Sequence, residues 1–274
     1  MIKPRYLPDI SQLSILAAVI LLTYALTPYV SIPESGIALP VAGAVFTFRF
    51  GFVRLVSFLL AAMAAVGMEW LLRAHPSWGK HRSFQHWFLP ALTAWAIGFP
   101  LSAIAVGPGW WVVFGLGSLL LVFVLVAEYV VYDFSDIYSP LAIVGLTAVS
   151  FALYLYLAIA LRAEGVRLYV LLPLLIPTVA LASVRAIFLR LSGVWKIDWG
   201  IAVAVVVSQL AIGLQYLPVL PLTYGLLLLG AAYSLTSAAC LLEEGKTARR
   251  VVFEALISWM FFAALGLLFQ FLAK

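Results

Sequence analysis

This chain has few charged residues and no long polar segment, which excludes most classes of soluble protein. Of its 274 residues only 10% are charged and 65% are hydrophobic, whereas a soluble domain is about 25% charged and about 45–50% apolar. Its longest hydrophilic segment, residues 73–86, is too short to bury a core of its own. We therefore expect one domain over residues 1–274, integral to a membrane.

Cysteine and the motifs of common chemistry are scarce as well. The one cysteine, Cys240, cannot form an internal disulfide, and a lone cysteine is no metal motif. The chain has no Walker motif, no G-x-S-x-G elbow and no H-E-x-x-H motif. Its net charge of +5 comes from Lys and Arg scattered through short loops, which is typical of membrane insertion. We expect membrane lipids as partners, no nucleic acid, no metal and no cofactor.

What the chain has in abundance is long apolar runs. A bilayer core of about 30 Å is crossed by about 20 helical residues, and nine stretches approach that length while most charges fall between them. They predict an all-α membrane protein, a bundle of about nine transmembrane helices. The predicted spans are 11–30, 52–72, 87–106, 109–131, 140–161, 168–191, 199–217, 219–242 and 251–272.

Two of the apolar regions are each too long for one span, so each must turn back. Gly107-Pro108-Gly109 marks the first turn, and Pro218 with Pro221 marks the second. The first span lacks the small-residue cleavage pattern of a signal peptide, so we expect it to be retained as a helix.

Lysine and arginine are distributed unevenly between the two sides of this topology. With the N-terminus inside, eleven of the sixteen Lys and Arg residues lie towards the cytoplasm and five lie outside. Because Lys and Arg favour the cytoplasmic side, we expect the N-terminus to be cytoplasmic and the C-terminus to be outside. We expect the chain to be a multi-pass protein of the cell membrane.

Residues 31–51 interrupt the helical pattern. In residues 45–50 phenylalanine alternates with Val, Thr and Arg, and a period of two residues predicts a strand. Ala42-Gly43-Ala44 is a turn that would send this strand back along residues 37–41. We expect a short outer β-hairpin or extended segment between the first two helices. A re-entrant half-helix over residues 36–48 is the alternative.

Two helical pairs share a local likeness. Ala96-Ile97-Gly98 and Ala211-Ile212-Gly213 each precede a proline-marked turn and a further span. A parallel duplication of four helices would explain this, since transporters often carry such repeats. Chance similarity between leucine-rich helices would explain it equally, and the sequence leaves both open.

Ionisable residues collect at the predicted cytoplasmic ends of the helices and form our candidate site. Such groups are costly inside spanning helices and are usually paired. We expect anchors and local ion pairs that close the bundle, with Glu69 and Arg73 spaced for one such pair. A polar pocket for a headgroup, a nucleotide-linked lipid or an ion is the alternative. The candidate residues are Glu69, Arg73, His86, Glu128, Asp133 and Asp136.

Two patterns in this region suggest metal ligands without completing a motif. Asp133 and Asp136 could hold Mg²⁺ through a substrate phosphate. The second acidic cluster of membrane prenyltransferases and the longer Asp series of phospholipid-forming enzymes are both missing, so helix capping or loop solvation is favoured. His75, His81 and His86 are spaced six and five residues apart and do not share one helix face. We expect these histidines to lie at the interface without binding a metal.

Several short motifs resemble an uncharacterised family of bacterial multi-pass membrane proteins. They are GMEWLLRAHP at 67–76, QHWFLP at 85–90, AEY at 127–129, LTS at 235–237 and LLEEG at 241–245. The resemblance covers nearly the whole chain and implies no activity. It singles out Glu69, Arg73, His75, His86 and Glu128 among their neighbours.

These observations favour a non-enzymatic membrane protein that handles a small solute or a lipid, or that is a subunit of a membrane complex or homo-oligomer. The alternative is an intramembrane enzyme acting on a lipid-linked substrate at the cytoplasmic face, where the candidate carboxylates and His86 would supply acid–base or metal chemistry. A cavity holding Glu128, Asp133 and His86 would favour the enzyme. A central cavity near Pro173, Pro177 and Gln209 would favour transport. A packed bundle with neither cavity would favour a structural or assembly role.

Overall fold

The computed structural model describes residues 6–30, 35–41, 44–50, 52–79 and 84–273. Nine α-helices run through this part of the chain, and each begins within three residues of its predicted start. Short 3₁₀ turns lie at Thr27–Tyr29 and Phe84–His86. The helices are α1 (Ile10–Leu26), α2 (Phe52–Arg73), α3 (Phe88–Ala103), α4 (Pro108–Val131), α5 (Ser139–Ala163), α6 (Leu168–Arg190), α7 (Ile197–Gln215), α8 (Pro221–Glu243) and α9 (Ala248–Leu272).

Eight of the helices in the described ranges are long and apolar enough to cross a membrane. The exception is α3, whose 16 residues extend about 24 Å and fall short of a bilayer core of about 30 Å. The span predicted at 87–106 is therefore too long. Trp87 and residues 104–106 of that span lie outside the helix, which follows a 3₁₀ turn at Phe84–His86 and ends three residues after Pro100.

The two proline-marked turns lie where helices begin. Pro108 is the first residue of α4 and Pro221 is the first residue of α8. Proline is tolerated at this position because its missing N–H would have no helical partner there. The long apolar regions are thereby divided into the helix pairs α3–α4 and α7–α8.

Between α1 and α2 the backbone is extended. Strand β1 (Ser35–Val41) pairs antiparallel with strand β2 (Ala44–Phe50), in a register that runs from Ser35 opposite Phe50 to Val41 opposite Ala44. The fold is carried by the helices. The placement of this segment on the outer side of the membrane stays a prediction.

The chain divides into two compact units, unit 1 over residues 1–142 and unit 2 over residues 143–274. In unit 1, α2 packs along α3, α3 along α4, and α1 against both α2 and α4. Its core includes Ile20, Leu60, Met68, Leu121 and Leu125. The single domain expected from the sequence stays a prediction, and each unit is described by itself.

Helix α8 is the central element of unit 2. It packs against α6, α7 and α9, and its glycines permit close approach. A Cβ on Gly230 would lie 2.7 Å from Cβ of Phe262 in α9. Tyr154 of α5 joins the same core, together with Leu175, Val207 and Leu228.

Candidate functional site

Most of the predicted site residues lie at one end of unit 1, which we call the polar end. It is formed by the start of α1, the end of α2, the start of α3 and the end of α4. The residues just ahead of α3 lie about one turn inside the ends of its neighbours. Trp87 bonds to Glu69, four residues before the end of α2, and His86 bonds to Glu128, three residues before the end of α4.

The contact between His86 and Glu128 is the most buried ionisable pair described. His86 Nδ1 lies 2.7 Å from Glu128 Oε2, and the two side chains are 1% and 0% exposed. These residues are 42 positions apart in the chain. The pair therefore ties the connection between α2 and α3 to the last turn of α4.

Gln85 is linked to the tautomer of His86. Its Nε2 lies 3.2 Å from His86 Nε2. If that amide N–H donates, His86 carries its proton on Nδ1 and donates it to Glu128. If the amide is turned so that its oxygen faces the ring, Nε2 is the protonated nitrogen. The orientation of the Gln85 amide and the tautomer of His86 are therefore coupled.

The second buried histidine of the polar end lies among aromatic rings. His75 is 2% exposed, and its ring makes edge contacts with Tyr6, Tyr129 and Tyr132 at centroid distances of 4.9, 4.7 and 5.1 Å. Its Nδ1 accepts a hydrogen bond from the backbone N–H of Ser77 at 3.0 Å. His75 is therefore a packed residue whose ring orientation is set by local structure.

The two aspartates after α4 are engaged in hydrogen bonds. Asp133 accepts from the hydroxyls of Ser77 and Ser135, each at 2.7 Å. Burial opposes the charged form, but these hydrogen bonds outweigh it and lower the pKa of Asp133 to about 2. Asp136 accepts from the backbone N–H groups of Tyr6 and Tyr138. Both aspartates therefore organise the loop between α4 and α5 and its contacts with neighbouring segments.

Glu69 and Arg73 form the expected pair on one face of α2. Their charged groups lie 3.8 Å apart, and the Arg73 side chain is 68% exposed. The other oxygen of Glu69 accepts from Trp87 Nε1 at 2.8 Å. The structure therefore brings Glu69, His86, Glu128, Asp133 and Asp136 to the polar end and leaves Arg73 at the surface. His81, with its neighbours Lys80 and Arg82, lies outside the described residues.

Across the described ranges, no group of three or more His, Cys, Asp or Glu residues is arranged to hold a metal ion. In unit 2, ionisable residues near the ends of neighbouring helices form ion pairs. Arg190 lies 2.9 Å from Glu244, and Lys196 lies 2.9 Å from Glu243. A hydrogen bond to Glu243 is the main cause that raises the pKa of Lys196.

The opposite end of unit 1, which we call the apolar end, contains a cavity of about 190 Å³. It lies where α1 ends, α3 ends and α4 begins. Its inner wall is made of buried residues, and its mouth is made of exposed residues in the α3–α4 connection and after α1. The inner wall is Tyr24, Thr27, Gly98, Leu101 and Trp110, and the mouth is Pro28, Ser102, Ile104, Ala105 and Val106.

The polar side chains around this cavity donate to backbone carbonyls. Tyr24 Oη donates to Ala94 O at 2.6 Å, and Trp110 Nε1 donates to Leu101 O at 3.1 Å. Thr27 and Ser102 donate to carbonyls within their own helical turns. The sequence analysis missed this site, although a proline inside α3 followed by an Ile-Ala-Val-Gly connection was a usable signal.

The comparison with protein families gives one match. A family model described as "Protein of unknown function (DUF5656)" matches residues 32–269. The chain belongs to the DUF5656 family. This confirms the resemblance to an uncharacterised family that the motifs indicated. No curated protein and no solved structure matches the chain. Membership of DUF5656 brings no activity with it, so function has to be argued from the site.

Proposed function

We propose that this chain is a non-enzymatic integral protein of the cell membrane that handles a membrane lipid. The observation that carries the proposal is the cavity at the apolar end, whose lining residues carry no charge. A polar group taken out of water without a hydrogen-bond partner costs several kcal/mol (roughly 2–7). A hydrocarbon group avoids that cost, so this cavity suits a lipid better than a polar solute.

The polar end supports the non-enzymatic part of the proposal. General acid–base catalysis needs a group within about 2.6–3.2 Å of the substrate atom that gains or loses the proton. Glu128 already lies at that range from His86, and Asp133 and Asp136 accept hydrogen bonds at that range from protein groups. Their geometry suits closure of the helix ends.

Unit 2 gives no comparable support for solute transport. The gap beside the Pro173–Pro177 segment of α6 is lined by Tyr154, Val179 and Val207 among others, and it is too narrow for a water molecule. Both prolines lie inside a continuous helix. This narrow packing supports lipid handling over solute transport.

The lipid proposal is tested by native mass spectrometry of the full chain. After exchange into a detergent that strips loosely held lipid, we expect the protein to retain a lipid with a discrete mass. Detection of the protein at its lipid-free mass, or with an unresolved spread of bound masses, would overturn the proposal.

The orientation proposed here, with the N-terminus cytoplasmic and the outer β-hairpin on the opposite side, has its own test. In a Cys240→Ser background, Leu7→Cys and Ala273→Cys place single thiols at exposed positions near each terminus. A membrane-impermeant maleimide applied to intact cells should label position 273 and should label position 7 only after lysis. The reverse pattern would refute this orientation.

A further inference from the structure

We infer that the cavity at the apolar end binds one hydrocarbon chain of a membrane phospholipid, which enters from the side of unit 1 while its headgroup stays outside. The inference rests on the proposed function and adds to it a site, a ligand moiety and a direction of entry. It follows from the size, the lining and the mouth of the cavity.

The size of the cavity limits what it can take. Its volume is about 190 Å³. Pockets that enclose a whole small molecule measure about 300–1,000 Å³. This cavity therefore accommodates a segment of a chain, and the rest of the molecule must lie outside the mouth.

The lining selects an uncharged segment. None of the lining residues is ionisable at neutral pH, because tyrosine titrates near pH 10. The hydrogens of its hydroxyl and indole groups are committed to backbone carbonyls, as with Tyr24 to Ala94 and Trp110 to Leu101. A phosphate or ammonium headgroup would be desolvated there without a charged side chain as counterion. A hydrocarbon chain requires none.

The mouth indicates entry from the hydrocarbon phase. Ile104 and Val106 are 40% and 48% exposed, and both belong to the short connection between α3 and α4. Exposed aliphatic side chains at a helix end are favourable against lipid tails and unfavourable against water. A chain of a lipid in the adjoining leaflet can therefore enter the cavity without crossing an aqueous phase.

The cavity floor is fixed by close helix packing. A Cβ on Gly98 would lie 2.0 Å from Ser57 Oγ and 3.2 Å from Tyr24 Oη. Only glycine lets α3 approach α1 and α2 this closely. The wall that the chain would contact is thereby held in place by three helices.

The test uses a phosphatidylcholine with a diazirine in one acyl chain, in nanodiscs that contain the full-length protein. Ala105→Trp should fill the mouth, and Ala264→Trp is the matched control at an exposed alanine of α9. We expect photolabelling of residues 101–106 in the wild type and in Ala264→Trp. In Ala105→Trp this labelling should fall about tenfold, which corresponds to a loss of about 1.4 kcal/mol in binding.

A second variant, a folding control and a comparison of headgroups make the outcome decisive. Ser102→Leu serves as a second filling variant, and helical content by circular dichroism must match the wild type for whichever variant is used. Equal labelling of residues 101–106 in the filled and control variants would overturn the site, even if a lipid still co-purifies. Phospholipids with the same diazirine-labelled acyl chain and a choline, glycerol or ethanolamine headgroup should label residues 101–106 equally. A preference of tenfold or more for one headgroup would show that the headgroup is recognised and would overturn the inference.

Discussion

The two ends of unit 1 are built on the same four helices and differ in how their connecting residues occupy the space between them. At the polar end, large side chains ahead of α3 fill the space, so that His86 contacts Glu128 and Trp87 contacts Glu69. At the apolar end, the connection after α3 supplies small and aliphatic residues, and a cavity remains. The side chains of the residues before and after α3, more than the placement of the helices, therefore decide which end is closed.

The same contrast separates two uses of polar groups. Glu128 is fully buried and its hydrogen bond with His86 joins segments distant in sequence. The hydroxyls at the apolar end instead donate within α1 or α3 or between them, as Ser102 does to Phe99. Tyr24 also joins two helices through its hydrogen bond to Ala94, so the difference lies in the groups involved: the polar end is linked by two buried ionisable side chains, and breaking such a pair costs more than losing a neutral hydrogen bond. The ends should therefore respond differently to substitution.

The largest effect is expected at the polar end from Glu128→Ala. The substitution leaves the buried His86 ring without its hydrogen-bond partner on α4, and an unsatisfied buried polar group costs about 1–3 kcal/mol, more when it is charged; the space left by the Glu128 side chain adds to this cost. We expect a corresponding fall in unfolding free energy, measured by denaturant titration in mixed micelles. Glu164→Ala, at an exposed position of the α5–α6 connection, is the matched control.

A double-mutant cycle sharpens this prediction. His86→Phe removes the hydrogen-bond partner and keeps a ring of similar shape, so Glu128→Ala should cost less in that background than in the wild type. If Glu128→Ala and Glu164→Ala unfold alike, the pair does not close the polar end. Additive effects of Glu128→Ala and His86→Phe would argue equally against coupling.

The next effect is expected at the apolar end from Gly98→Ala. The new methyl would overlap Ser57 Oγ, and overpacking of this kind costs about 1–3 kcal/mol. Gly213→Ala is the control, because nothing lies within 4 Å of a Cβ at that position in α7. Unfolding of the two variants in parallel separates the clash from helix propensity, which by itself favours alanine.

The consequence of Gly98→Ala for the cavity follows from the same geometry. Because the clash pushes α3 away from α2 or moves Tyr24, lipid retention should change together with stability. A variant that is destabilised and keeps its full lipid occupancy would show that this glycine supports packing alone. A variant with wild-type stability would show that Ser57 can move aside freely.

What the sequence predicted best was the placement of helices, because apolar length is a local property. The starts of α2 and α6 agree to the residue, and the local pair of Glu69 with Arg73 followed from helical spacing. What it missed depends on distance in the chain. The link between Asp136 and Tyr6 joins residues 130 positions apart, and no spacing rule points to it.

The apolar cavity was missed for a different physical reason. A cavity is the volume that side chains fail to fill, so it depends on the mutual placement of helix ends and not on any motif. The length of α3 was overestimated because Trp87 and residues 104–106, which flank the helix, are as apolar as its interior. Hydropathy reports the medium around a residue and does not report where a helix begins or ends.

The smallest effect concerns the surface of the polar end and is a pH dependence. The hydrogen bonds of Asp133 lower its pKa to about 2 in the folded chain, below a value of about 3.9 for an unfolded chain. A group whose pKa falls on folding stabilises the fold above its unfolded pKa, and that stability is lost as pH falls towards the folded pKa. The Asp133 contribution should therefore be complete above about pH 4 and decline between about pH 4 and 2.

Two variants isolate this contribution. Ser77→Ala removes one hydrogen bond to Asp133 and should cost about 1 kcal/mol at neutral pH, with a smaller difference from the wild type near pH 2. Asp133→Asn should remove the same pH dependence, whereas Asp198→Asn at an exposed position of α7 should leave it unchanged. If the wild type and Asp133→Asn differ in unfolding free energy by the same amount at pH 2 and pH 6, the carboxylate does not act through its charge. The hydrogen bonds at the rim of the polar end would then contribute shape alone, and the closure of that end would rest on the His86–Glu128 pair.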